Sequence, residues 1–399
     1  MPIPFPPPRE AQLPPSFRHR SRIQSSQNMK VSTFTLLLGS TALASARTIT
    51  VTEHGPLTIQ QAIDYAHPGD RVVVEKGQYY EQLTISKGLS LVGREATLLP
   101  PNAPVNNTCS GLAGPAVNPD PDNIPDVPSQ AGICVTGTGV HLGDFPGSEH
   151  RKFSSVDSSV KGVTVTGFTV KDFSGIGIAV VGARDTVISG NTVIDHNFYG
   201  LLAVGSADTE FKKNGVVSTP LPNPFIRVIG ICMDDKHDAS VHDNDIDGYW
   251  LGLCVQTSGM NVYNNKVHNT CIGTYVDPDI KGVRVHDNVI EHVGPNCKDN
   301  PIFGNAPGYQ FSFGIGLFGA KNTLVKNNVI NDMHRYGVWI LDQGAVLATG
   351  NVIEKNTIST LSNPVDPADV DIEVDSVGKG NVVKKNNVCV TSFPAGLCK

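Results

Sequence analysis

The sequence predicts an all-β solenoid, a parallel β-helix with three short strands per coil. Three recurrences predict it: an asparagine once per coil, a glycine about fourteen residues ahead of it, and short alternating runs of β-branched residues between them. The asparagines are Asn191, Asn214, Asn244, Asn265, Asn288, Asn328, Asn351 and Asn386, set in segments such as VISGNTV, SVHDNDI, VRVHDNVI and LVKNNVI, with shortest spacings of 21 to 23 residues. A period near 22 with a fixed turn residue is the signature of stacked coils, each burying its face only against the next. Asparagine suits the sharp turn because it tolerates the left-handed conformation and bonds locally to backbone.

The glycines open a further strand in each coil: GIAVV from Gly177, GLLAV from Gly200, GICMD from Gly230, GIGLF from Gly314 and GVWIL from Gly337, with Gly252 and Gly273 one residue out of step. One strand enters the asparagine turn, one leaves it, and the third begins near the glycine. Alternation assigns the faces of that third strand. Ile231, Met233, Leu253, Val255, Val276, Val338 and Ile340 point inward. Cys232 and Asp234, Cys254 and Gln256, Tyr275 and Asp277, Gly316 and Phe318, and Trp339 and Leu341 point outward in two columns.

Long insertions interrupt the period at 100–159, 218–225 and 293–312. The last two fall just before a glycine-opened strand, so they are expected to wall the face those columns share. Long loops on a rigid scaffold commonly carry binding or catalysis. The stretch 230–279 gathers the most titratable groups at this register: Asp234, Asp235, Lys236, His237, Gln256, Tyr275, Asp277 and Asp279, with Arg227 just ahead of them.

The period, the asparagine column and the opening segment TIQQAIDYAHPGDRVVVEKGQYYEQLTISKGLSLVG resemble the right-handed parallel β-helix (pectin-lyase-like) superfamily, which includes pectate lyases, polygalacturonases and mannuronan epimerases. The resemblance spans roughly Thr48 to Val390. It implies a right-handed coil, a short N-terminal capping helix and a polysaccharide groove along the glycine-opened sheet. The capping helix has its own signal, since Thr58 and Gln61 form a capping box before IQQAIDYA, and Pro68-Gly69 stops it. Locally, TYVDPD (Thr274–Asp279) resembles the Tyr-Gly-Phe-Asp-Pro-His signature of mannuronan epimerases at Asp277 and Pro278. It departs from that signature at Thr274, which stands in the tyrosine's place, and at Asp279, which replaces the histidine. Only Asp277 therefore carries over, as a group beside a substrate carboxylate. The MDD of Met233–Asp235 resembles paired polygalacturonase aspartates, without the Gly-His-Gly or Arg-Ile-Lys motifs that should follow.

These residues define the expected chemistry. Asp234, Asp235, His237, Tyr275 and Asp277 are the catalytic candidates, and Lys236, Gln256, Asp279, Phe318, Trp339 and Arg227 the substrate-binding ones. Aspartates two coils apart stand roughly 9 to 10 Å from each other by inter-strand spacing, at the upper end for an inverting acid and base. A lyase or epimerase instead needs a base near carbon-5 of a uronate, for which Tyr275 is the candidate, and cations to neutralise its carboxylate. The expected activity is thus that of a secreted enzyme on a uronate-containing polysaccharide: lyase, epimerase or hydrolase. The alternatives are a non-catalytic glycan-binding or cell-wall surface protein and a small-molecule isomerase or cyclase on the same scaffold. Plainer roles stand beside each candidate. Asp234 and Asp235 suit a strand end, Asp277-Pro278-Asp279 suits a turn, and His237 beside Asp238 suits a surface. No cofactor is required by this reading, and no zinc-type spacing occurs. Acidic pairs on adjacent coils leave calcium open as a ligand.

The chain has 399 residues. Residues 29–46, MKVSTFTLLLGSTALASA, read as a secretory signal peptide cleaved before Arg47. The Pro- and Arg-rich residues 1–28 read as a non-native or disordered leader, and 47–399 as a single β-helix domain. Removing 1–46 takes five of the 31 basic residues and one of the 37 acidic ones, leaving 26 against 36, a net charge near −10. That balance argues against nucleic acid as a partner. The apolar run of the signal peptide is too short to span a bilayer, and the mature protein is expected to be a monomer. All eight cysteines follow residue 46, as expected in an oxidising compartment. Neighbourhood pairs Cys109 with Cys134, Cys271 with Cys297 and Cys389 with Cys398. Cys232 and Cys254, in register on neighbouring strands, are left open between a bridge and stacked thiols. Asn106 heads the glycosylation sequon Asn-Asn-Thr.

Overall fold

In the computed structural model, residues 46–116, 127–147, 149–219, 228–294, 297, 312–360 and 369–398 are described. The expected leader, all but the last residue of the signal peptide, Arg227 and most of the insertions at 218–225 and 293–312 lie outside them. The described chain is a right-handed parallel β-helix. The strands flanking each asparagine turn, such as Ser240–His242 and Asp245–Asp247, join one 21-stranded sheet, and the glycine-opened strands, such as Ile229–Asp234, form an 11-stranded sheet. Successive strands pair in parallel, coil on coil. The helix Ile59–Tyr65 carries the expected capping box and buries Ile59, Ala62 and Ile63. It packs against the first strands and covers the end of the core, where open coils would expose sheet edges.

The asparagine column is a hydrogen-bonded stack. Asn214 donates both its backbone N–H and its Nδ2–H to Asn244 Oδ1 at 3.0 Å, and Nδ2 also reaches Ile188 O at 3.0 Å in the coil before. The same pattern runs through Asn191, Asn244, Asn265, Asn288 and Asn328. Two details correct the sequence reading. The left-handed residue is the one before each ladder asparagine: Gly190, Lys213, Asp243, Asn264, Asp287, Asn327 and Lys355 have φ between 53° and 63°. The asparagine itself is buried and serves as the bridge between coils. After Asn328 the column continues through Asn356 and Asn387, whereas Asn351 belongs to a second column with Thr323 and Asn381, and Asn386 accepts from Lys355 N–H. The segment NVIEKN places an asparagine at each end of one strand, so the repeat offered two registers of the same residue type.

The glycines stand at the second position of the strands of the 11-stranded sheet. Gly177, Gly200, Gly230, Gly252, Gly273, Gly314 and Gly337 lie in one register, including the two that seemed out of step in sequence. A Cβ on Gly230 would stand 2.6 Å from an Ile246 methyl and 2.9 Å from Gly252 O. No side chain fits there without displacing the next coil, so glycine is required inside the strand. The predicted inward residues Ile231, Met233, Leu253, Val255, Val276, Val338 and Ile340 are all buried in the core.

All eight cysteines are paired: Cys109–Cys134, Cys271–Cys297 and Cys389–Cys398 as neighbourhood suggested, and Cys232–Cys254 across adjacent strands with Cα atoms 4.4 Å apart. Among the described residues no helix is long and apolar enough to cross a membrane.

Candidate active site

The expected insertion at 100–159 is not one loop: Ala131–Thr136 within it is a strand of the glycine-opened sheet, and the residues that follow fold back over that sheet's outward face. Their strands Thr138–Leu142 and Phe153–Ser158 pair as an antiparallel hairpin, and the connection between them carries Glu149, His150, Arg151 and Lys152. Arg151 fastens this connection: its backbone N–H donates to Leu112 O at 2.8 Å and its Nε to Gly143 O at 2.7 Å. The neighbours His150 and Lys152 are thereby delivered onto the strand ends bearing Asp234 and Gln256.

The resulting network is continuous. His150 Nε2 lies 2.9 Å from Asp234 Oδ2, and its Nδ1 lies 3.3 Å from the Tyr199 hydroxyl. Lys152 Nζ donates to Asp234 Oδ2 at 3.2 Å and to Gln256 Oε1 at 2.7 Å, and stands 2.9 Å from Glu149 Oε2. Gln256 Nε2 donates to Asp277 Oδ2 at 2.6 Å and to Glu149 Oε2 at 3.1 Å. Three carboxyl groups thus meet around one lysine and one glutamine.

Their environments drive the carboxyls apart. Burial, with Glu149 as a like-charged neighbour, raises Asp277 to about 8, so it is protonated at neutral pH. Burial also pushes Asp234 upward, but the His150 hydrogen bond and the Lys152 charge outweigh it and hold Asp234 below the usual carboxylate range. Glu149 is likewise lowered, burial being overcome by Lys152. His150 has no exposed surface, and burial lowers its pKa, so the ring is neutral. With an ionised carboxylate at Nε2, that nitrogen carries the proton and Nδ1 accepts from Tyr199. A neutral acid and an ionised carboxylate sharing one site are the electrostatic requirement for acid–base work.

Of the sequence candidates, the structure brings Asp234, Gln256 and Asp277 into this network. Tyr275 sits beside it, but its hydroxyl donates to Gln343 Oε1 at 2.9 Å, and burial holds its pKa well above the usual phenol value. It therefore keeps its proton and is no base in this state. Phe318 packs edge-on against Tyr275 at 5.0 Å and against Trp339 at 4.8 Å, making a partly exposed aromatic floor.

The remaining candidates point elsewhere. Asp235 is buried in a turn column, where its carboxylate accepts from Ser206 N–H and its own N–H donates to the Thr257 hydroxyl. Burial raises it to about 7. Lys236 lies over the Phe153 ring at 4.6 Å and so clamps the hairpin. His237 pairs with Asp238 at 2.7 Å on the surface, and Asp279 pairs with Lys321 at 2.5 Å at the edge of the coil. Glu149, His150, Lys152 and Tyr199 were missed. The signal available for the first three was the charged run Glu149–Lys152 inside an insertion between two alternating segments.

Asp208, His237 and Asp238 are the one set of three His, Cys, Asp or Glu groups near enough to share a metal ion among the described residues. It offers three donors, one of them a nitrogen, where calcium takes six to eight oxygens. The set does not fit calcium, and no step is routed through it.

The fold is that of a right-handed parallel β-helix, with a carboxyl-rich site on the outward face of one sheet. The right-handed β-helix region family matches residues 229–396. Alginate lyase from Paenibacillus sp. str. FPU-7 superposes with a TM-score of 0.52 at 14% identity, over 86% of this chain and 99% of that one. The A-module of the mannuronan C-5 epimerase AlgE4 of Azotobacter vinelandii gives 0.46 at 15% identity, over 84% and 91%. PfbA, a surface adhesin of Streptococcus pneumoniae, gives 0.46 at 13%, over 81% and 84%. At these identities the likeness is one of fold. No curated protein matches the sequence.

Proposed function

We propose that this protein is a secreted carbohydrate-active enzyme that cleaves a glycosidic bond, with Asp277 as general acid and Asp234 as general base. The observation that carries the reading is the split between the two aspartates: one neutral, the other held ionised by Lys152 and His150. In the step itself, Asp277 gives its proton to the glycosidic oxygen as that bond breaks. Asp234 takes a proton from the water that attacks the anomeric carbon from the opposite face, so the sugar is released with inverted configuration. The two aspartates stand at strand ends two coils apart, with Gln256 hydrogen-bonded between them, roughly 9 to 10 Å by strand spacing, at the upper end for an inverting acid and base.

Charge favours hydrolysis over uronate chemistry. Glu149, Asp234 and Asp277 face a single lysine that is already paired with two of them, so among the described residues this network has no spare cation to neutralise a uronate carboxylate. A neutral saccharide therefore fits this site better than a polyuronate. The lyase or epimerase reading retains one support, the local match at Asp277-Pro278. Four disulfides agree with an oxidising, extracellular location.

The test is a screen of the mature protein against xylan, β-1,3-glucan, arabinan, polygalacturonate and alginate. Both new reducing ends and ultraviolet-absorbing unsaturated products are followed. New reducing ends on a neutral polymer, lost in Asp277→Asn, support the proposal. Unsaturated products from a polyuronate establish the lyase instead. Binding without turnover establishes the glycan-binding alternative.

A further inference from the structure

We infer that the hairpin of Thr138–Leu142 and Phe153–Ser158, with Cys109, Leu112 and Ala113 beside it, plugs one end of the groove, so the site takes the end of a saccharide chain and not its middle; this rests on the glycosidase reading above. The outward face of the glycine-opened sheet changes character along the helix axis. In its first coils Cys134, Ala179, Val181, Leu202 and Val204, all facing away from the core, have no exposed surface. They form a second apolar cluster outside the barrel with Cys109, Leu112 and Ala113, against which Val140, Leu142 and Phe153 of the hairpin pack. No sugar can lie on positions that are already filled. Asp234, Gln256 and Asp277 stand at the rim of this cover. Beyond them in the same outward column come Phe318 and Leu341, partly exposed, and then the exposed Asp375.

The plug is a fixed part of the structure. The Cys109–Cys134 disulfide ties the segment around Cys109 to the sheet strand Ala131–Thr136. Phe153 occupies the space over Gly205, where a Cβ would stand 2.0 Å from its ring, and it is covered by Lys236. His150, without exposed surface, joins the connection to both Tyr199 and Asp234. A chain seated across the acid and base can therefore continue in one direction only, over the aromatic floor of Phe318 and Trp339. Aromatic faces suit the apolar faces of sugar rings.

Two measurements test this. On the panel polymer that the mature protein cleaves, the wild type should release a product of one size from the first time point, with reducing ends accumulating well ahead of viscosity loss. A ladder of intermediate sizes with early viscosity collapse overturns the inference, while an accompanying loss of activity in Asp277→Asn would leave the acid–base reading standing. Conversely, single-size product from an enzyme indifferent to Asp277→Asn refutes the acid assignment and leaves the plug intact. The second measurement needs no substrate. In native-state hydrogen exchange, amides of Thr138–Leu142 and Phe153–Ser158 should be protected within about tenfold of those in Tyr199–Val204. Exchange about a thousandfold faster would show that the hairpin lifts away, and the groove would then be open at both ends.

Discussion

The asparagine turn and the groove floor are built from the same coils, yet they handle polar groups in opposite ways. At the turn, each buried Asn meets an identical Asn one coil away, and every donor finds an acceptor near 3.0 Å. At the floor, neighbouring coils present different residues. One outward column runs Asp234, Gln256, Asp277, Phe318 and Leu341, with no side chain stacked on its own kind in the next coil, and three carboxyls are pressed together around Lys152 and Gln256. Buried polar groups that are fully paired rigidify a structure, whereas imperfectly balanced ones shift each other's protonation. Repetition marks what holds the coil, and its absence marks where chemistry sits.

The contrast predicts that substitutions at the two places fail differently. Asp277→Asn and Asp234→Asn should each cut turnover about a hundredfold or more without lowering the melting temperature, since each removes a titrating group and keeps its volume. Asn265→Ala should do the reverse: equilibrium denaturation should show a loss of about 1 to 3 kcal/mol, from backbone and Asn244 donors left without an acceptor, with turnover per folded molecule intact. If Asn265→Ala abolishes turnover in a fully folded protein, the division between the two regions collapses.

Both regions were legible to different depths, and the reason is sequence distance. The asparagine column, the glycine column and the inward and outward faces follow from period and alternation, which are local. Alternation also placed Asp234, Gln256 and Asp277 on one face. It could not supply their partners, because His150 is 84 residues from Asp234, and Lys152 and Glu149 are 104 and 107 residues from Gln256. It also weighted Asp235, Lys236 and His237 equally with Asp234, since composition gathers neighbours without regard to direction. Asp235 turns into the Ser206–Thr257 column and Lys236 onto Phe153.

Smaller effects sharpen the comparison. Lys152→Met should lower turnover about tenfold and move the acid limb of the pH profile upward, because its charge helps hold Asp234 ionised. A limb that stays in place would show that Lys152 only fixes the geometry. Asp277 also leaves a signature in stability. Its pKa is raised in the folded state, so the folded protein holds a proton that the unfolded chain releases above about pH 4. The contribution is fully present below that pH and is lost as pH rises through about 8. The carboxamide introduced by Asp277→Asn has no such proton to lose. In thermal melts the variant should therefore match wild type near pH 4 and gain on it steadily up to about pH 8, where the difference levels off.

The acid–base split is the centre of this account, and a carboxyl titration tests it most directly. With aspartate labelled at the side-chain carboxyl, carbon NMR of the mature wild type should show one resonance titrating near pH 8 that vanishes in Asp277→Asn, while the one near pH 7 from Asp235 remains. The Asp234 resonance should titrate below the usual aspartate range, held there against burial by His150 and Lys152. An Asp277 carboxyl titrating with the surface aspartates, below about pH 5, would contradict the account.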